Sequence, residues 1–503
     1  MKNLIEIARV VTKRKVRKIE IFDDYALRHN KSKFNEFYDA LRDNKFKNDR
    51  DAADKLYGCK PTDPKYRQLK SRFRKRLLNT LFFLDINLPK AANYDRAYYS
   101  CNKDWTLVKT LLWYDAPNSA AQLARQILTT SQKYQFADFI VNSARILREQ
   151  AALSGDEKAY EEYDNYIKEY TQVLEAEIRS EELYQRVIMN YYKPFSSNEG
   201  LENQINAYCD ALMSLSEQYS SPVISYNMYL VWIFRYEMLH DFETMLAVCE
   251  QGETFVENNP VYKQSKKMGT FQTKKMSAYL HMRNFRDGRT NAERCLQELE
   301  EGSDDWYTFM EYYFLLAMHT ESYVQAIAIF RKAYEHPKFR KLKSEEIEKW
   351  RLFNGYVAYI LQSEGRNNPV FSQQQPKDFK LDRFLKTDPQ YSKDLRNYEV
   401  LALILQVLFL LEQNKFSGAR DRIERLKKYA TRQLRKEEYY RTVQFIRLLQ
   451  QFNKADFHPE ELSSTEKYLD ALKDRPFFYR GLPMELEILP YELLWKRILR
   501  YSR

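Results

Sequence analysis

The chain of 503 residues is 44% hydrophobic and 30% charged, so it can bury a large core and still present a polar surface. Its mean hydropathy is −0.68, and it has no run of about 18 uncharged apolar residues, which argues against a membrane span. Only 11 glycines and 15 prolines interrupt it, which favours an all-α fold of long helices with short connections over a many-stranded sheet.

The five cysteines are scattered, odd in number and without a CxxC pair. A disulfide framework or zinc knuckle is therefore not expected. The cysteine pattern instead favours a reducing environment such as the cytoplasm. The opening sequence MKNLIEIARVVTKRKVRKIE has no long apolar core, so it does not resemble a signal peptide.

The positive charge is concentrated at one end of the chain. Residues 1–90 hold 24 Lys and Arg against 12 Asp and Glu, whereas the remaining residues hold 57 against 58. This asymmetry predicts two parts with different roles, a basic helical module at 1–90 and a longer, nearly neutral part after it.

Four helices are predicted in the basic module. The first is NLIEIARVV, and the second is SKFNEFYDALRDN with Ser32 as its N-cap. The third is NDRDAADKLYG, where Asn48 or Asp49 caps the start and Gly58 closes the end.

The fourth helix is predicted from Lys65 to about Leu84, with Asp63 as N-cap and Pro64 at the first helical position. At 100° per residue, one apolar stripe collects Tyr66, Leu69, Phe73, Leu77, Leu81 and Leu84. Lys70 lies at the edge of this stripe, so its ammonium group must extend outwards to reach solvent.

The same helix carries a dense run of basic residues. Positions 65–76 contain no acidic residue and seven basic ones: Lys65, Arg67, Lys70, Arg72, Arg74, Lys75 and Arg76. Confining like charges costs self-repulsion unless an anionic partner or neighbouring acids relieve it. Together with the preceding helix, this helix loosely resembles a helix–turn–helix pair, which implies a second helix offered to a nucleic-acid groove.

Nucleic acid, either DNA or RNA, is the favoured partner of this basic face. A second basic cluster is a candidate arm that grips phosphates: Lys13, Arg14, Lys15, Arg17 and Lys18. Two alternatives stay open: an acidic protein or membrane surface as the partner, and a solvated helix face with no partner.

From about residue 103 onwards, helical periods recur with aromatic and small residues at fixed offsets. In SYVQAIAIFRKA these are Tyr323, Ala326, Phe330 and Ala333, where alanine lets two helices approach and the aromatic rings fill the gaps. The same offsets recur at Phe242, Met245, Cys249 and Gly252, at Phe285, Gly288, Ala292 and Cys295, and at Phe416, Ala419, Ile423 and Leu426. An apolar helix of similar length precedes each of these segments.

These units resemble tetratricopeptide repeats, helical hairpins of about 34 residues that stack into a solenoid. The four residues of SYVQAIAIFRKA and the following Pro337 match the second-helix signature and closing proline of that family. The small residue of the first helix is replaced by Phe314, Met276 or Ile233, and the repeat spacing is 43 and then 38 residues. The resemblance therefore implies an α-solenoid of irregular hairpins.

The repeat array is predicted at 91–361 and again at 395–503, where YELLWKRILRYSR forms a final helix that caps the last repeat. Residues 362–394 contain three prolines and a glutamine cluster, which predicts a long loop or crossing segment.

No catalytic site, metal site or cofactor is predicted. The sequence contains no P-loop, GxSxG, HExxH or GxGxxG motif, and its six histidines are never paired at metal-ligand spacing. His281 and His319 each lie four residues before a repeat aromatic, which favours a structural position near the turn between helices. An enzyme with an unrecognised site is the least favoured class.

The resemblance to tetratricopeptide repeats implies a groove, lined by first helices, that binds a protein or peptide partner. By analogy with that family, Thr273, Ser277 and Glu311 face this groove. The sequence thus predicts a non-enzymatic scaffold, adaptor or regulator whose repeats bind a protein and whose basic module contacts nucleic acid. The alternative is a pure protein–protein assembly module whose basic end binds an acidic protein surface.

Overall fold

The structure, a computed structural model, describes residues 32–43, 45–46, 48–81, 93–191, 200–365, 369–372, 378–387, 389, 391, 395–432, 434 and 437–501. Regular structure in these residues is helical throughout, with no strand among them. Consecutive helices pack as neighbours, so the predicted all-α, solenoid-like fold is confirmed. The chain divides into two compact units, Met1–Thr171 and Gln172–Arg503. The domain boundaries drawn from the sequence at 90, 361 and 394 stay predictions.

The first unit begins, in the described residues, with the three helices of the basic module and continues with longer helices. Its helices are α1 Lys33–Arg42, α2 Asp49–Tyr57, α3 Pro64–Thr80, α4 Asn93–Trp113, α5 Pro117–Tyr134, α6 Ala137–Ser154 and the first part of α7 Glu157–Tyr191. α5 packs between α4 and α6, and tyrosines of α7 extend the same core. The predicted helix NLIEIARVV lies outside the described residues.

Local capping determines where α1 and α2 begin and end. The Ser32 hydroxyl accepts a backbone N–H at the start of α1, as predicted. Asn48, and not Asp49, caps α2 with its side-chain oxygen. Gly58 ends α2 at φ +61°, in the left-handed region that a Cβ would disfavour.

α3 is oriented by a cap at its start and by its apolar stripe. Asp63 accepts the N–H of Lys65, and Pro64 is the first helical residue. Tyr66, Phe73 and Leu77 are fully buried, with ring centroids of Phe37 and Phe73 4.9 Å apart. The helix ends at Thr80, short of the predicted Leu84, which lies outside the described residues.

The second unit contains the rest of α7 and a run of helices that pack mainly against their neighbours in sequence. They are α8 Leu201–Gln218, α9 Pro222–Met238, α10 Phe242–Asn258, α11 Ser265–Met282, α12 Phe285–Glu298, α13 Asp304–His319, α14 Tyr323–Tyr334, α15 Ser344–Gly365, α16 Pro369–Ser372, α17 Leu381–Lys386, α18 Arg396–Glu412, α19 Phe416–Arg432, α20 Tyr440–Lys454, α21 Glu466–Asp474 and α22 Tyr491–Tyr501. Two short helices, α16 and α17, thus lie within 362–394.

The recurring offsets in the sequence mark the second helices of four hairpins, α9–α10, α11–α12, α13–α14 and α18–α19. Each recurring segment begins its helix at the aromatic residue, and the three later positions are buried in all four cases. First helices of successive hairpins also pack on each other, as α11 does on α13, and α15 packs on the first helix α18. This arrangement is compatible with a helical-repeat solenoid.

Two glycines of the second helices allow a close approach between helices. A Cβ on Gly252 would lie 2.6 Å from the Phe271 ring, and one on Gly288 would lie 2.5 Å from a methyl of Leu316. Both distances are shorter than carbon atoms tolerate, so these positions accept no side chain without a shift of their neighbours.

None of the described helices is both long enough and apolar enough to cross a membrane.

Substituting Gly252 tests the close approach. Gly252→Ala should lower the melting temperature, because the buried Phe271 ring must move, at a cost of about 1–3 kcal/mol that exceeds the gain in helix propensity of about 1 kcal/mol. Gly418→Ala is the matched control: its Cβ would meet only the flexible end of Leu410 at 3.3 Å, so its melting temperature should stay level or rise. Equal shifts in thermal denaturation would contradict the packing argument.

Candidate functional site

The basic run of α3 divides into residues with internal partners and residues that face solvent. Lys70 is one of the former: its ammonium lies 2.6 Å from Asp49 of α2, which also accepts the Tyr66 hydroxyl at 2.7 Å. Although burial opposes ionisation, these hydrogen bonds lower the pKa of Asp49 to about 2. Arg76 is half-buried, with its guanidinium 5.2 Å from the Phe34 ring centre.

The other five basic residues of the run are exposed. Lys65, Arg67, Arg72, Arg74 and Lys75 have no carboxylate within 4 Å among the described residues. At 100° per residue, Arg67 and Arg74 follow one side of the exposed face, Lys65 and Arg72 follow the other, and Lys75 lies between. We call these five residues the α3 basic face.

The connection from α2 to α3 spans residues 58–63. This is longer than the turn of three or four residues typical of helix–turn–helix motifs, so the pair matches that motif only in its order of helices. The predicted arm at Lys13, Arg14, Lys15, Arg17 and Lys18 lies outside the described residues.

The three residues predicted to face a groove in the second unit differ in their surroundings. Thr273 is half-exposed on α11. Ser277 is buried, and its hydroxyl lies 3.4 Å from a carboxylate oxygen of Glu237. Glu311 of α13 is buried and forms an ion pair of 2.5 Å with Lys349 of α15.

A stretch between α21 and α22 contacts this same surface, and sequence reasoning missed it. Residues 475–490, which we call the C-terminal segment, contain one short turn of 3₁₀ helix at Pro483–Glu485. The Tyr479 hydroxyl donates to Glu311, and the Tyr479 ring packs on Tyr312. The predicted groove residue Glu311 is therefore already bonded to the chain's own C-terminal segment.

Histidines at the ends of three first helices contact the aromatic residues of the segment. His240 follows α9, and its ring centre lies 4.6 Å from that of Phe478. His281 is the penultimate residue of α11, and its ring centre lies 5.2 Å from that of Phe478. His319 ends α13, and its ring centre lies 4.3 Å from that of Phe477. The shared offset of His281 and His319 in the sequence was the signal that could have pointed to this surface.

The hydrogen bonds of two histidines show which ring nitrogen carries the proton. Nε2 of His281 accepts the backbone N–H of Tyr479 at 2.9 Å, so its Nδ1 carries the proton and donates to the Ser277 carbonyl at 2.7 Å. Nε2 of His319 lies 2.7 Å from the Glu487 carbonyl and must donate to it. Burial lowers the pKa of His281 to about 4 and that of His319 to about 3, so both rings are neutral.

The charged residues of the segment are paired. Arg480 is buried, donates to Glu485 through its backbone N–H at 2.9 Å and through Nε at 2.8 Å, and reaches the Tyr191 carbonyl. Glu487 pairs with Arg441 of α20 at 2.9 Å. Paired charges of this kind tolerate burial that an isolated charge would not.

A scan against protein-family models found no matching family, and searches of curated proteins and of solved structures found no significant match.

Acidification should loosen the C-terminal segment through His281. A proton on Nε2 would place two N–H donors face to face, so the contact is complete above the ordinary histidine pKa near 6.5 and is lost as the pH falls towards 4. Hydrogen exchange at the Tyr479 amide, corrected for intrinsic rates, should show an opening free energy that falls by up to about 1.4 kcal/mol per pH unit.

His281→Gln is the control, since an amide oxygen can accept the same N–H without titrating. Glu311, Glu485, His240 and His319 are titratable groups nearby, burial raises the pKa of the first two, and the Glu237 carboxyl also faces this site. The difference between the two proteins isolates His281. Identical pH profiles would refute its role.

Proposed function

We propose that the chain is a non-enzymatic adaptor or regulator that acts in the cytoplasm. The α3 basic face contacts the phosphates of DNA or RNA, and a solenoid of tetratricopeptide-like hairpins binds a protein partner. Partner binding by the repeats would control the nucleic-acid contact.

The proposed contact with nucleic acid rests mainly on the α3 basic face. Five exposed cations lie on one face, and the nearby acid Asp49 is already occupied by Lys70. Residues seven apart on a helix are about 10.5 Å apart along its axis, so each side of the face offers two cations at that spacing. Such an unneutralised array attracts a polyanion and releases its counterions on binding.

The repeat architecture supports the protein-binding half. Hairpins whose first helices lie side by side expose an extended surface, which is how helical repeats bind peptides and partner helices. The small residues of the second helices, Gly288 and Ala326 among them, are buried where the tetratricopeptide signature would place them.

The cysteines support a reducing compartment. All five lie in the described residues as free thiols, and four of them are buried. Burial raises the pKa of Cys209 to about 12 and that of Cys295 to about 11, which leaves them as unreactive thiols.

Removing charge from the α3 basic face tests the nucleic-acid half. In the full-length chain, Arg67, Arg72, Arg74 and Lys75 are changed together to Gln; Arg76 is left because it packs on Phe34. Binding to duplex DNA and structured RNA is measured against salt concentration. The variant should bind at least about tenfold more weakly, and the slope of log K against log salt should shrink by about 3–4.

The matched control removes four exposed lysines of the second unit by changing Lys263, Lys266, Lys415 and Lys428 to Gln, with the same loss of charge. Its slope should match that of the unmodified chain. Equal losses of affinity in both variants would indicate attraction by the overall positive charge and would contradict a specific role of the α3 basic face. No binding by the unmodified chain at low salt would overturn the proposal and favour an acidic protein as the partner of the basic end.

A further inference from the structure

The first half of the C-terminal segment has the contacts of a bound peptide. We call residues 477–481 the plug. Its backbone is held by His281, its tyrosine hydroxyl by Glu311 and its arginine by the Tyr191 carbonyl. These acceptors belong to different helices, and each takes a different group of one non-helical stretch, as in recognition of an extended chain.

The second half of the segment is an anchor. Leu486, Ile488 and Leu489 are each 1% exposed, and Glu487 is paired with Arg441. Asn397 of α18 donates to the carbonyl of Leu486 at 3.3 Å. Removing these residues would expose apolar side chains and leave Arg441 with fewer partners.

The plug is also buried, with Tyr479 1% exposed, but it can leave without stranding a charge. Arg480 takes its carboxylate partner Glu485 from within the segment, four residues beyond the plug. The pair stays intact when residues 482–485 leave with the plug, which opens the hydrogen bond from Asn397 to the Pro483 carbonyl. Glu311 keeps its ion pair with Lys349 when Tyr479 departs. Leaving charges paired removes the largest penalty that opposes the release of a buried polar group.

Backbone features at both ends of the plug permit such movement. Arg475 and Pro476 are exposed before it, and Gly481 at its end has φ +87°, a conformation that side chains disfavour. Gly481 as a flexible position at one end of the plug and the anchor beyond it define a stretch that can open locally while the fold stays intact.

We infer that the plug is an intramolecular ligand of the solenoid, and that a protein partner binds by replacing it with a peptide of the same chemistry: adjacent aromatic residues followed by an arginine. This rests on the protein-binding half of the proposed function. A tethered ligand acts at an effective concentration of the order of millimolar, so the plug keeps weak competitors out and admits only a strong or abundant partner.

The test uses a fluorescein-labelled peptide, RPFFYRGLP, that copies residues 475–483. Its binding is measured by anisotropy to the unmodified chain and to the full-length variant with Phe477, Phe478 and Tyr479 changed to Ala. Without its own plug, the variant should bind the peptide at least about tenfold more tightly than the unmodified chain does. The control peptide RPAAARGLP should bind neither protein.

A folded variant that binds the peptide no better than the unmodified chain would overturn the inference. If the variant does not fold, hydrogen exchange of the unmodified chain tests the inference instead. Amides 477–481 opening at lower free energy than those of α13 and of 486–489 support a displaceable plug, and equal free energies refute it. Nucleic-acid binding, measured on the same preparations, reports on the α3 basic face alone, so failure of the plug is recognised separately from failure of the proposed nucleic-acid contact.

Discussion

Two ion pairs, each with a buried glutamate, join helices of the second unit that are not consecutive in sequence. Glu237 of α9 lies 2.5 Å from Lys274 of α11, and Glu311 of α13 lies 2.5 Å from Lys349 of α15. Removing one partner of such a pair costs about 3–5 kcal/mol, because it leaves the other charge buried and unpaired. Each glutamate also accepts a tyrosine hydroxyl. Glu237 accepts that of Tyr191 on the oxygen that Lys274 contacts, whereas Glu311 bonds Lys349 through one oxygen and accepts Tyr479 of the C-terminal segment on the other.

What the sequence predicts well is local. The caps Ser32 and Asp63 act within three residues of their own positions, and the apolar stripe of α3 follows from helical period alone. The C-terminal segment could not be predicted in this way. Tyr479 reaches His281 across 198 residues, and the segment has no periodicity, so only the folded chain brings these groups together. The shared offset of two histidines indicated a common position, but not its occupant.

The α3 basic face shows how the order of apolar and basic residues in one helix determines which charges are exposed. Lys70, at the edge of the apolar stripe, was expected to reach solvent, and it instead turns to Asp49 and links α3 to α2. Asp51 of α2 is likewise paired with Lys55. Two acids of α2, Asp49 and Asp51, are therefore already paired within the module, and the five remaining cations of α3 face outward because burial of the stripe fixes the rotation of the helix. Burial of the apolar stripe thus both stabilises the module and exposes the cations that are proposed to bind polyanions.

The C-terminal segment is longer than the distance between the two histidines to which it is hydrogen-bonded. His281 and His319 belong to adjacent helices, whose axes are typically 8–10 Å apart, yet they bind the segment at Tyr479 and Glu487. Eight residues in extended form would span about 26 Å, so the excess chain must fold back on itself. It does so where the Arg480–Glu485 pair closes a loop. That closure lies within the segment, so the loop can keep its shape when the plug lifts away, once Arg480 has left the Tyr191 carbonyl and Asn397 the Pro483 carbonyl.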